Sequence, residues 1–326
     1  MITMKITERL SPVFTQKQYL SDGGLETTLI FQRGISLNHF AAFELLRTED
    51  GKRSLAEYYK PYLSLAEKYR FGFVIESPTW RANCDWGIKL GYTHDELFAL
   101  NKQSIKFMRE LTRPFSQSLP HVLISGNIGP RGDGYKADAR MTAEQAMVYH
   151  TEQVKAFALA DADLVTAVTI TYSDEAIGII NAARSLNLPI VISFTVETDG
   201  RLPSGELLHE AIDRTDRETN QYAEHYMINC AHPQHFLHTF NAGGDWKKRV
   251  CGLRANASLK SHAELDESDT LDAGDKCLLA EGYTQLFHLL PSLKVIGGCC
   301  GTDHSHLDEI CKTLEKHMAP EVAFGR

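Results

Sequence analysis

Residues Pro189–Thr195 read PIVISFT. Successive side chains of a strand point to opposite faces, and in this run both faces are apolar, with Ser193 the small exception. Such a strand is buried on both sides, as in a parallel sheet covered by helices. The run VLIS at Val122–Ser125 reads the same way. Outward from these two, further short runs of this kind are predicted at Tyr19–Asp22, Gly72–Glu76, Ala162–Val168, His225–Cys230, Arg249–Ala255 and Leu293–Gly297, with the quoted pair extended to Pro189–Thr195 and His121–Gly126. Helical stretches are predicted between them at Ser54–Lys68, Thr93–Leu111, Ala143–Ala160, Ser173–Ser185, Gly205–Tyr222, Pro233–Phe240, Leu271–Leu289 and Ser305–Lys316. Thr142 with Gln145 has the form of a capping box for the third of these.

Strands alternating with helices in this number predict an α/β fold of the (β/α)8 TIM-barrel type. The expectation is one domain over residues 1–326, with a core from about residue 19 to about residue 318. The competing architecture is an open doubly wound sheet. The first strand–turn, LSDGGLETTL, lacks the G-x-G-x-x-G that such a sheet uses to bind dinucleotides. The long polar segments 196–222 and 256–275 both follow strands, so in a barrel they become loops of the catalytic face.

Composition bounds the function. The chain is 43% hydrophobic and 23% charged, which suits a globular core of ordinary size. A net charge of -8 without a basic run argues against nucleic acid and anionic membranes as partners. No apolar run approaches the ~20 residues of a membrane span. The N-terminal MITMKITERLSPVF has no apolar signal region and the C-terminal VAFGR no prenylation box, so a cytoplasmic protein is expected. The seven cysteines do not form a disulfide framework, and in a reducing compartment they bind metal, do chemistry or fill the core.

Three of the cysteines sit at predicted strand ends. Cys230 closes strand six in MINC, and Cys299 and Cys300 follow strand eight in VIGGCCG. In a barrel these ends open on one face. Thiolates are good zinc ligands at about 2.3 Å, and three protein ligands leave a fourth position for a substrate. Gly297, Gly298 and Gly301 let the chain bend so that adjacent cysteines face one ion. A thiol arriving there would lose its proton and become a nucleophile. Cys84, Cys251, Cys277 and Cys311 read instead as small core hydrophobes.

The motifs GGCCG and NC, with DGGLETTL at the first strand, resemble the homocysteine S-methyltransferase family. GNIGP (Gly126–Pro130), SFTVETDGRLPSGE (Ser193–Glu206) and RANAS (Arg254–Ser258) agree with it more weakly, and the resemblance runs from about Asp22 to about Leu307. It implies a (β/α)8 barrel, a zinc ion on Cys230, Cys299 and Cys300, and methyl transfer from a sulfonium or ammonium donor to a thiol such as homocysteine, giving methionine. It also implies that Asp22, Gly23 and Gly24 line the substrate pocket. The family's glutamate after strand four, which binds the amino group of homocysteine, is replaced by Val168, followed by Thr169. Glu76 and Glu197 are the carboxylates placed to take over, and Glu76, Thr169 and Glu197 join the candidate substrate-binding residues. No catalytic group beyond the metal site is required.

The partners expected are a small-molecule thiol acceptor and a methyl donor; homo-oligomerisation stays open. Trp80, Trp86 and Tyr172, just past strand ends, are candidates for a cation–π seat for the donor. Three other classes compete: a zinc-dependent demethylase or lyase acting on another thiol, thioether or sulfonium compound, a redox protein with a vicinal Cys299–Cys300 disulfide and no metal, and a metal-binding protein without catalysis.

Overall fold

The computed structural model describes residues 13–318 apart from Lys17 and Ala139. The terminal segments read above for a signal region and a prenylation box fall largely outside that range. Eight parallel strands close into a barrel in sequence order: β1 (Tyr19–Leu20), β2 (Gly72–Glu76), β3 (Val122–Ile128), β4 (Leu164–Ile170), β5 (Ile190–Phe194), β6 (His225–Asn229), β7 (Val250–Ala255) and β8 (Val295–Gly298). The open-sheet alternative falls, because β8 pairs with β1 through Tyr19–Val295 and Leu20–Ile296.

Eight helices cover the barrel: α1 (Glu49–Tyr69), α2 (His94–Thr112), α3 (Ala143–Leu159), α4 (Ser173–Ser185), α5 (Leu208–Thr219), α6 (Pro233–Phe236), α7 (Lys276–Leu289) and α8 (His304–Met318). The capping box of Thr142 and Gln145 opens α3, and Thr93 with Glu96 makes another at α2. Further short helices at Leu25–Thr27, Cys84–Lys89 and His262–Asp266 lie in loops that follow strands. Among the described residues, no helix is long and apolar enough to cross a membrane.

The strand pattern explains where the site must be. Outward residues such as Phe73, Ile75, Ile124, Ile190, Ile192 and Ile228 pack against the helices in the main core. The inward residues at the N-terminal end form a second, apolar cluster of Tyr19, Val74, Leu123, Leu164, Val191, Met227 and Val295, plugged by Phe14. Two residues further along most of these strands, the inward positions turn polar: Ser21, Glu76, Ser125, Thr166, Ser193 and Asn229. A closed barrel of this size is filled by side chains, so the polar layer is buried and its groups must bond to one another. Ser125 and Thr166 hydroxyls meet at 2.8 Å, and Ser193 donates to Asn229 Oδ1 at 2.7 Å. The open end above this layer is the C-terminal one, where TIM-barrel sites are built.

Candidate functional site

A cleft of about 660 Å³, counting its mouth, opens there. Its wall includes Asp22, Gly23, Gly24, Glu76, Thr169, Cys230, Cys299 and Cys300, which the sequence singled out, together with Glu26, Tyr135, Val168, Asn229 and Arg254. Glu197 is outside this wall. It stands behind it, its Oε1 3.1 Å from Nδ1 of His262, whose Nε2 lies 2.7 Å from the Cys230 carbonyl oxygen.

The three sulfurs lie within 4.8 Å of one another. Cys230 and Cys299 are joined by a disulfide, with Cys300 free beside them. The vicinal Cys299–Cys300 bond anticipated for a redox protein therefore does not form; the bond crosses between β6 and β8 instead. Tetrahedral thiolate sites space their sulfurs about 3.8 Å apart, a spacing inside the 4.8 Å that bounds this trio. Burial pushes the Cys300 thiol up, against the thiolate, although the Tyr135 hydroxyl at 3.5 Å works the other way. Of the cysteines read as core residues, Cys311 alone is buried; Cys84 and Cys277 are exposed and Cys251 half-buried. At an exposed position a cysteine costs a helix or strand little, so composition does not separate the two cases.

Backbone geometry aims these groups. Cys230 and Thr169 both have positive φ, 55° and 62°, a conformation that a β-branched threonine rarely adopts. Asn229 holds Thr169 in it: Asn229 Oδ1 accepts from the Thr169 amide at 2.8 Å, and Nδ2 donates to the Thr169 hydroxyl at 2.9 Å. The ladder between β4 and β5 slips between Ala167 and Ile170, and Val168 and Thr169 of this irregular stretch both reach the cleft. Gly24 lies so close to the cysteine turn that an added Cβ would stand 2.6 Å from the Cys299 carbonyl oxygen.

The floor is an ion network that sequence reasoning missed, although Arg254 stood in the quoted RANAS. Arg254 pairs with Asp22 at 2.8 Å and with Glu76, and all three are buried. Tyr58 donates to Asp22 Oδ2 at 3.0 Å and Asn127 to Glu76 Oε2 at 2.8 Å. Burial opposes the charge on Arg254, but Asp22 and Glu76 outweigh it and hold the guanidinium above its ordinary range. Burial raises the Glu76 carboxyl, with Arg254 offsetting part of the shift. Glu26, also missed although it stood in the quoted DGGLETTL, lines the cleft two residues after Gly24, and burial pushes it up to about 7.

The aromatic seat expected for a donor is otherwise engaged. The Arg81 guanidinium lies 4.0 Å from the ring centres of both Trp80 and Trp86, and the Tyr172 hydroxyl accepts from the Met141 amide. Only Trp80 of the three reaches the cleft wall.

Known proteins are similar to this chain over most of its length. The model of the homocysteine S-methyltransferase family matches residues 19–314. Homocysteine S-methyltransferase 1 of Arabidopsis thaliana is 21% identical over 265 residues, covering 74% of this chain and 79% of that protein, and the Brassica oleracea var. italica enzyme of the same name matches equally. Among solved structures, the homocysteine methyltransferase MmuM of Escherichia coli superposes with a TM-score of 0.72 in its oxidised form, at 18% identity, covering 93% of this chain and 97% of that one. Its metallated form gives 0.71, also at 18% identity, covering 91% and 96%. The family model spans nearly the whole barrel, including the segments that hold Cys230, Cys299 and Cys300, and makes this chain a member of the homocysteine S-methyltransferase family.

Proposed function

We propose that the protein is a zinc-dependent S-methyltransferase of the cytoplasm, moving a methyl group from a sulfonium or ammonium donor to the thiol of homocysteine and so forming methionine. One barrel domain spanning the chain carries the activity. The observation that supports this most is the set of three cysteine sulfurs within 4.8 Å, on the wall of the cleft at the C-terminal end of the barrel. An all-sulfur set favours a soft ion and disfavours magnesium or calcium, which take oxygen ligands. A site of three thiols also suits a reducing compartment.

Cys230, Cys299 and Cys300 are the zinc ligands in this reading. Zinc bound there supplies Lewis acidity that keeps an incoming thiol deprotonated at neutral pH. The chain's own residues do the remaining work. Asn229 fixes Thr169 against the acceptor, Gly23 and Gly24 let the backbone approach it, and Asp22 and Glu76 give the floor its polarity. Glu197 acts from behind the wall by orienting His262 against the Cys230 carbonyl. The acceptor sulfur then attacks the donor methyl carbon, an S–C bond forms as the donor's C–S or C–N bond breaks, and the leaving group keeps the electron pair. The thiol proton goes to solvent. Placing the two substrates in line supplies most of the acceleration, so no general base is required. Family membership favours this transfer over a demethylase or lyase reaction.

Metal analysis of the reduced protein should find about one zinc per chain, lost in Cys230→Ala. The zinc-loaded protein should form methionine from homocysteine with one of S-methylmethionine, S-adenosylmethionine or betaine. No methionine from any of the three would overturn the reading.

A further inference from the structure

The charged side chains of the cleft wall are Asp22, Glu26, Glu76 and Arg254. Asp22 and Glu76 share the Arg254 guanidinium. Glu26 stands apart: among the described residues it makes no ion pair and no hydrogen bond to another side chain. An unpaired carboxylate in such a place is costly to the folded state, and a site that keeps one gains when a bound cation meets it.

The position of Glu26 relative to the thiols is fixed by the backbone. The Gly24 amide donates to the Thr302 carbonyl at 3.0 Å, and the Gly301 amide donates to the Thr27 hydroxyl at 3.3 Å. The turn carrying Glu26 and the turn carrying Cys299 and Cys300 are therefore one packed unit. The end of β4 offers the same cleft only apolar Val168 beside Thr169. A small thiol held at the cysteines must turn its remaining groups toward these walls, and among the described residues Glu26 is the charged group there without an ion pair, Arg254 and Arg81 acting on it only at a distance.

We propose that Glu26 is the recognition residue for the α-ammonium group of the acceptor, selecting aminothiols over thiols that lack the amine. The assignment rests on the thiol-methyltransferase reading and names how that same site chooses its acceptor. The test compares homocysteine with 4-mercaptobutyrate, its analogue without the amino group, by calorimetric binding to the zinc-loaded full-length protein and by acceptor KM. Wild type should prefer homocysteine by about tenfold or more, the scale of a hydrogen-bonded charge pair. Glu26→Gln should bring the ratio close to unity, chiefly by weakening homocysteine, and Glu26→Asp should restore part of it. An unchanged ratio in Glu26→Gln, equal losses for both thiols, or a change confined to the KM of the methyl donor each overturns the assignment while leaving the methyltransferase reading intact. If neither thiol binds wild type, the methyltransferase reading fails and the assignment falls with it.

Discussion

Replacing Arg254 by methionine tests the account of the cleft floor. Methionine fills most of the arginine's volume but removes the charge shared by Asp22 and Glu76, both buried. Breaking a buried ion network by deleting one partner costs about 3–5 kcal/mol, because the remaining charges are stranded out of water. The loss must depend on pH, and its sign follows from the carboxyl groups left behind. Burial already raises Glu76 with Arg254 in place, and without Arg254 it rises further. A carboxyl whose folded pKa lies above its unfolded value favours the fold at low pH and opposes it as pH rises through the folded value. Arg254→Met should therefore cost about 3–5 kcal/mol near pH 8, and the cost should shrink by roughly 2 kcal/mol near pH 5, where the stranded groups accept protons. Urea unfolding midpoints at the two pH values, in reductant and at one zinc concentration, measure both numbers. The double variant Arg254→Met/Glu76→Gln should recover part of the loss at the higher pH. A cost equal at both pH values, or below about 1 kcal/mol at the higher one, would refute the stranded-charge argument.

Other consequences are as direct. His225, at the N-terminal end of β6, is held down to about 3 by burial, with Arg249 and Lys294 adding to it. A group depressed in this way contributes stability above its unfolded pKa and loses it as pH falls, so acid should cost the wild type about 3 kcal/mol near pH 4, and His225→Phe should flatten that decline in thermal melts. Asn229→Ala removes the partners that hold Thr169 at positive φ and should destabilise the protein by about 2–3 kcal/mol; a melting temperature equal to wild type would count against the clamp. Oxidation with diamide should release zinc and abolish thiol binding, and dithiothreitol should restore both, since the Cys230–Cys299 bond consumes two of the three proposed ligands. Zinc retained by the fully oxidised protein would exclude the three-cysteine set.

The barrel was legible because several of its strands are short β-branched runs apolar on both faces, alternating with longer helical stretches, and all eight predicted runs fall on observed strands. Their ends were less so. The first run is predicted through Asp22 and the assigned strand is Tyr19–Leu20, yet the Ser21 amide donates to the Ile296 carbonyl and the Gly298 amide to that of Asp22, so backbone bonding to β8 continues past the strand's end. The cysteines were legible through chemistry, since GGCCG gives nothing to a core strand. The charge network was not: Arg254, Asp22 and Glu76 lie on three strands or strand ends far apart in sequence, and only closure of the barrel makes them neighbours. Glu26 was hidden differently. A glutamate after a glycine turn reads as a helix-starting residue, and its lack of an ion pair among the described residues is a three-dimensional fact. The aromatic seat failed for the same reason, because Arg81, adjacent in sequence to Trp80, fills it.

The shortness of β1 has a consequence for how the protein comes into being. The barrel closes on a two-residue strand whose other edge is supplied by β8, near the end of the chain, and Cys299 follows Cys230 by 69 residues. Asp22 and Glu26 belong to the first part made, Cys299 and Cys300 to nearly the last. During synthesis Cys230 therefore has neither of its two partners until the final strand emerges, and Asp22 and Glu76 lack their shared Arg254 until β7 does. Neither the disulfide nor the sulfur trio can form early, so the completed ring itself decides when the reactive centre exists.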